Sequence, residues 1–261
     1  MKATRMIFVL AFSIGLATRA EAGLLAPTES VAGLTQNQWA EAWWNWAVSY
    51  PAASNPVSDP TGAFSSLGDQ GQVFFLAGSF GGGPVTRTAT VRNDQYLFFP
   101  LANGVTTELD SSYGPSDAEM IQDVIEFVGD GSNFFVELDG VDLSGGADLN
   151  GWLQTSPTAF LLNFPPGGIF TDDDYSGPIR SVQRGWWLML APLQAGKHTL
   201  KFGGTATANG IYAGFGPNVQ DLTYELTVVP EPGTLGLAAC AVVPAAAAAL
   251  ARSRRSRVRT V

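Results

Sequence analysis

Between Gln72 and Val228 the apolar residues of this chain fall into runs of only five to seven, separated by segments rich in glycine, proline, aspartate and asparagine. Runs of that length are strand-sized and fall short of the roughly ten residues a packed helix needs. They are Val73–Ala77, Arg87–Val91, Tyr96–Leu101, Val124–Val128, Asn133–Leu138, Ala159–Phe164, Gly185–Leu190, His198–Phe202 and Leu222–Val228. The 30 glycines and 16 prolines supply turn chemistry and oppose long helices. The pattern predicts a mainly β domain, an antiparallel β-sandwich of jelly-roll or Ig-like type with about nine or ten strands. Asp139-Gly140, between Phe134–Leu138 and Val141–Leu143, is the strongest hairpin turn. Trp186–Leu190, Pro192–Phe202 and Thr223–Val228 are expected to follow one another as antiparallel neighbours closing two packed sheets. The run Gly185–Leu190 alternates poorly, which fits a strand buried on both faces.

One helix stands apart near the start. Thr35 and Gln38 have capping-box spacing, Leu34 and Trp39 occupy staple positions, and Trp39, Trp43, Trp46 and Tyr50 recur at four, three and four residues. The spacing predicts a Trp-rich helix over about 36–49, ended by Pro51. Aromatic faces can stack on sugar rings, but a stripe at helical period is the face that docks on a core, and burial of these tryptophans is the expectation.

The two ends carry a different chemistry. Lys2 and Arg5 precede an apolar core from Met6 to Ala17, and Ala20-Glu21-Ala22 puts small residues at the two positions a signal peptidase reads. Residues 1–22 are therefore expected to be a secretory signal peptide, cleaved before Gly23; their apolar core is too short for a membrane span. At the other end, Pro230-Glu231-Pro232 is followed by the uncharged 19 residues Gly233–Ala251 and then by Arg252, Arg254, Arg255, Arg257 and Arg259. As a hydrophobic helix at about 1.5 Å per residue, that stretch roughly spans a hydrocarbon core of about 30 Å, and the arginines hold the tail inside. Its alanine-rich make-up, with Pro244 in the middle, suits a temporary stop better than a permanent anchor. Motif, span and basic tail in this order resemble the PEP-CTERM sorting signal of bacterial surface proteins. The resemblance implies that residues 230–261 are recognised and cut by an exosortase, that the chain is transiently membrane-anchored, and that it ends at the cell surface or in the extracellular matrix. It also implies coupling to exopolysaccharide.

Setting the two ends aside sharpens the charge argument. The whole chain carries −9, whereas Gly23–Ala251 holds 6 Lys and Arg against 22 Asp and Glu, a balance of −16. So acidic a surface repels phosphate backbones and anionic lipid, which argues against a nucleic-acid partner. Cys240, the single cysteine, lies in the tail, so the exported segment 23–229 forms no internal disulfide and performs no thiol chemistry. Its 207 residues suffice for one domain with one core. Trp43-Trp44-Asn45-Trp46-Ala47, Asp59-Pro60-Thr61-Gly62, Val73–Gly78, Leu97–Pro100 and Gly185–Leu190 make residues 39–228 similar to a group of uncharacterised secreted bacterial proteins. That resemblance implies a single domain without assigned activity; those relatives carry cysteines near the positions of Ser65 and Ala89, and the bridge this implies is missing here.

Nothing in the domain singles out a catalytic centre. His198 is the one histidine and sits in a strand pattern behind Gly196-Lys197, where it is expected to hydrogen-bond a neighbouring loop; no Gly-x-Ser-x-Gly elbow accompanies it. One histidine and no cysteine in the domain exclude a His/Cys zinc site within a single chain. The acids leave an alternative class open, a secreted glycan-acting hydrolase using a pair of carboxylates about 5–10 Å apart. Calcium needs only clustered oxygen ligands on loops, and the candidates are Asp172, Asp173 and Asp174, and the segment holding Asp142, Asp148 and Asn150. A solvated acidic turn is the simpler account of each. The sequence thus leads to an exported structural or glycan-associating domain, without catalytic activity and with no cofactor other than that calcium.

Overall fold

The structure is a computed structural model and describes residues 23–170 and 175–231. The signal peptide with Ala20 and Ala22, the acidic run Asp172–Asp174, Pro232, the expected C-terminal helix and the five tail arginines lie outside the described residues. Among the described residues no helix is long and apolar enough to cross a membrane.

Thr35 starts helix α1 (Gln36–Val48) in the way its spacing predicts. Its hydroxyl accepts from the Gln38 N–H while the Gln38 side chain accepts from the Thr35 N–H, so two otherwise orphaned donors are satisfied reciprocally. The rest of the chain is mainly β, in two sheets of five strands. The first holds β1 (Val73–Phe75), β3 (Tyr96–Thr107), β8 (Gly177–Leu190) and β6 (Leu153–Thr155) in that order, with β7 (Phe160–Phe164) also paired to β8. The second runs β2 (Val85–Arg92), β10 (Asn218–Val229), β9 (Gly196–Thr207), β4 (Asp130–Leu138) and β5 (Val141–Asp142).

Three features differ from the sequence reading. Both sheets are mixed rather than wholly antiparallel, because β1 pairs with β3, and β2 with β10, in parallel. The chain leaves the first sheet after β1 and returns to it as β3 by way of β2 in the second, and two reversals bring it back in its starting direction. Next, β8 and β9 are not neighbours but lie in different sheets. β8 already has β3 on one side and β6 and β7 on the other, so no edge is free for β9. Finally, Val124–Val128 is no strand but the last turn and a half of helix α2 (Asp117–Val128). Ser116 and Glu119 form a second capping box, Met120, Val124 and Val128 repeat at i+4 on the buried face, and Gly129 stops the helix at φ 63°. A Cβ on Gly129 would sit 2.0 Å from the Thr207 carbonyl oxygen, so the close approach needs glycine.

The imperfect alternation of Gly185–Leu190 has the expected cause. Leu97, Phe99 and Leu101 of β3 and Trp186, Leu188 and Leu190 of β8 join a core shared with Phe202, Leu222, Tyr224 and Leu226 of the second sheet. Phe99 and Phe202 meet across that core with ring centroids 4.3 Å apart. Phe98, Trp187 and Met189, on the opposite face of the same strands, join α1 in a second core. There Trp187 lies 5.3 Å from Phe98 in a stack and 5.2 Å from Trp43. Trp39, Trp43, Trp44 and Trp46 are all buried, so the stripe is the docked face. At about 1.5–3 kcal/mol for each large apolar side chain taken from water, this second core is what fastens α1 to the sheet.

The hairpin at Asp139-Gly140 is present, with Leu138 opposite Val141 and positive φ at both turn residues, 54° and 81°. At one pole of the domain the first and last described residues are tied to neighbouring segments. Ala191 N–H donates to Gly23 O at 3.0 Å, Asn93 N–H to Val229 O at 2.8 Å, and Glu231 N–H to Asn93 Oδ1 at 3.2 Å.

Candidate functional site

At the start of β10, the other end of that strand, the two layers part around an aromatic cavity of about 280 Å3. Helix α1 contributes Trp43 and Trp44, the connection after β1 contributes Phe80, β3 contributes Asn103, α2 contributes Phe127, and Phe170 and Asn218 complete the wall. The local sequence explains the opening. β3 carries Asn103-Gly104 here, paired with Gly185 and Arg184 of β8, and the bare Gly104 lets Phe127 and Val128 of α2 come close. Phe170 stacks on Tyr175 with centroids 5.3 Å apart and meets Phe164 edge-on, which fixes its ring as part of the wall.

The polar groups of this cavity are unevenly satisfied. Trp43 Nε1–H donates to Leu76 O at 3.0 Å. Trp44 Nε1–H and the Asn103 side-chain NH2, which belong to two residues of the wall, are buried and have no partner. A buried donor without an acceptor is a standing cost of about 1–3 kcal/mol and needs a reason. Among the described residues Asp110 is the one carboxylate in the wall, where it accepts from Thr107 N–H and Oγ1–H and from the Tyr175 hydroxyl, and none of them brings a Lys or Arg to the lining.

A larger trough, about 470 Å3, lies on the outer face of the second sheet between Thr88, Thr90, Thr199, Thr227, Lys197 and Glu225. It is open and hydroxylated, and none of the unpartnered buried groups belongs to it. His198 borders this trough, and its ring joins two loops: Nδ1 is 2.7 Å from Asp139 Oδ2 and Nε2 is 3.0 Å from Gln194 O. It thus pins the β4–β5 turn to the segment before β9, the loop-bonding role its position predicts.

Of the sequence candidates for calcium, Asp172–Asp174 lie outside the described residues, and the others bond within their own turns. Asp142 accepts from Ser144 N–H and Oγ–H, and Asp148 from Asn150 N–H and Nδ2–H, so each closes its own turn. Among the described residues no group of three or more His, Cys, Asp or Glu side chains is disposed to hold a metal ion. Pro230 and Glu231 of the expected sorting motif directly follow β10.

The sequence reading missed a buried cation, Arg87. It is 2 % exposed and donates from Nε to Asp59 O at 2.7 Å, from Nη1 to Ala77 O and Gly78 O at 2.7 and 2.8 Å, and from Nη2 to Val57 O at 3.0 Å. Its signal is visible in Thr86-Arg87-Thr88-Ala89-Thr90-Val91, where Arg87 shares the inward parity of Ala89 and Val91. Below it the Asp59 carboxyl is drawn two ways. Partial burial works to raise its pKa, but hydrogen bonds from Phe64 N–H and from Thr61 N–H and hydroxyl prevail and hold it below the usual carboxylate range. Glu41 on α1 goes the other way: burial pushes it up, against hydrogen bonds from Ser156 and Asn37.

No protein-family model and no curated protein matches this chain. Among solved structures, the solution structure of amebosin is similar over 55 % of this chain and 96 % of that one, at 8 % identity and a TM-score of 0.15, a likeness too slight to carry an argument.

Proposed function

We propose that the chain is an exported, exosortase-sorted surface or extracellular protein whose β-sandwich domain holds a neutral glycan in the aromatic cavity without altering it chemically. The observation that carries this reading is the conjunction of aromatic walls with the two unpartnered N–H donors of Trp44 and Asn103. Sugar rings offer apolar C–H faces to aromatic side chains and oxygen acceptors to N–H groups, so a sugar matches a wall of this make-up. A wall whose described residues include one carboxylate and no cation, on a domain (23–229) balanced at −15, disfavours uronate or phosphate. Sorting is inferred from Pro230-Glu231-Pro232, the span and the arginines behind it.

The test is an array of neutral, uronate-containing and phosphorylated glycans probed with the purified chain, once with calcium and once with chelator. Retention on neutral glycans, weakened in Phe80→Ala while its melting temperature is unchanged, is the expected result. Binding confined to anionic glycans, or none by a folded chain, overturns the reading.

A further inference from the structure

The cavity beneath Trp44 does not end at Phe127. Beyond that ring lies a second hollow of about 150 Å3, bordered by Ala206, Ala208 and Phe215, and the two share Asn103, Phe127 and Asn218 as a common wall. Among the described residues no Lys or Arg lines either hollow. Phe80, Phe127 and Phe215, which border the two hollows, are 63 %, 39 % and 58 % exposed. The middle and far rings are held in place. Tyr212 packs against Phe127 at 5.5 Å and Phe215 at 5.4 Å, and its hydroxyl donates to the buried Asp123 at 2.7 Å. Rings fixed before binding lose little freedom when a ligand arrives.

The size of the hollows points to what fills them. The first alone falls just short of the roughly 300–1,000 Å3 typical of small-ligand sites, and the second is half as large; joined, they enter that range. We infer that the two hollows form one groove that takes a linear neutral oligosaccharide, with one ring beside Trp44 and Phe80 and the next across Phe127 toward Phe215. This rests on the glycan reading above and extends it from a sugar ring to a chain. A polymer passing through the groove places Phe80 and Phe215 at successive subsites, so removing either ring has a different consequence. Phe80→Ala weakens every ligand length, whereas Phe215→Ala weakens only those long enough to reach it.

Isothermal titration of the purified full chain with three ladders tests this: β-1,4-glucose, β-1,3-glucose and β-1,4-N-acetylglucosamine, each from mono- to tetrasaccharide. The expected result in at least one ladder is a gain of about tenfold or more between mono- and trisaccharide, equivalent to about 1.4 kcal/mol for the added ring contact. Phe215→Ala should abolish that gain and leave the monosaccharide affinity as it was. Equal affinity at all lengths, or a gain that survives Phe215→Ala, overturns the two-hollow groove and leaves the glycan reading standing. Failure of the folded chain to bind any ladder overturns both. Far-ultraviolet circular dichroism of each variant separates lost binding from lost fold.

Discussion

Arg87 Nη1 donates to the Tyr224 hydroxyl at 3.0 Å, and the guanidinium carbon sits 5.9 Å from the centre of the same ring. Burial pushes the Tyr224 phenol up, and the neighbouring guanidinium works against it. Because four backbone carbonyls also converge on Arg87, the pair ties β2 and β10 to the chain before β1 and to the segment after it. Arg87→Met should lower stability by at least about 3 kcal/mol in a denaturant titration, since several buried carbonyls lose their donor. Arg87→Lys should recover only part, an ammonium having three donors for five acceptors.

The tryptophan stripe and the exposed phenylalanines should separate cleanly by stability. Trp43→Ala, made at a site 2 % exposed, should cost about 3–5 kcal/mol. Phe80→Ala should stay within about 0.5 kcal/mol of the parent, as surface substitutions do. Thermal melts of both variants check this.

Trp44→Phe keeps an aromatic ring but loses the pyrrole half of the indole together with its unpartnered N–H. Without ligand, removal of a buried unsatisfied donor should offset part of the packing lost, so the variant should lose less stability than Trp43→Ala. Glycan affinity should fall about fivefold, one hydrogen bond of about 1 kcal/mol. Unchanged affinity contradicts the role given to that group.

Acid should weaken the domain through Asp59 and Asp139. For Asp139, partial burial works upward, but the Thr199 N–H and the His198 ring outweigh it and lower its pKa. A folded-state value below the unfolded one means stability that is present above the ordinary carboxylate value of about 3.9 and lost as pH falls through the folded value. Melting temperature followed from pH 7 to pH 3 should drop below about pH 4, and Asp139→Asn should make that limb shallower.

Processing should leave the mature surface protein without Arg252–Arg259, which mass spectrometry of the C-terminal peptide reads directly. Replacing the five arginines by glutamate should impair membrane arrest, because the charges that hold the tail inside are gone. An intact basic tail on the surface-exposed protein contradicts exosortase sorting.

Local patterns in the sequence carried the elements, but not their partners. Thr35 and Gln38 announced α1, Asp139-Gly140 announced its hairpin, and the poor alternation of Gly185–Leu190 announced a strand between two cores. The equivalent signals for α2, Ser116 with Glu119 and then Met120, Val124 and Val128, were present but masked by Val124-Ile125-Glu126-Phe127-Val128, whose β-branched and aromatic residues read as a strand. Parallel pairing of β2 with β10 joins residues more than a hundred positions apart, and no short-range pattern encodes it. The cavity was illegible for the same reason. Its wall draws Trp44, Phe80, Asn103, Phe127 and Asn218 from five separate elements, and only packing shows that Trp44 and Asn103 lack partners.

Strand β10 connects the two poles described above, with Asn218 in the wall of the groove and Val229 one residue before the Pro-Glu-Pro motif. At about 3.4 Å per residue its 12 residues reach roughly 40 Å, bonded to β9 over Asn218–Val228 and to β2 over Leu222–Val229. On the function proposed above, the tail before processing and a polymer in the groove would pull on opposite ends of this strand. Tension of that kind would load its ladders in shear, whereas a pull at right angles would open the bonds one after another.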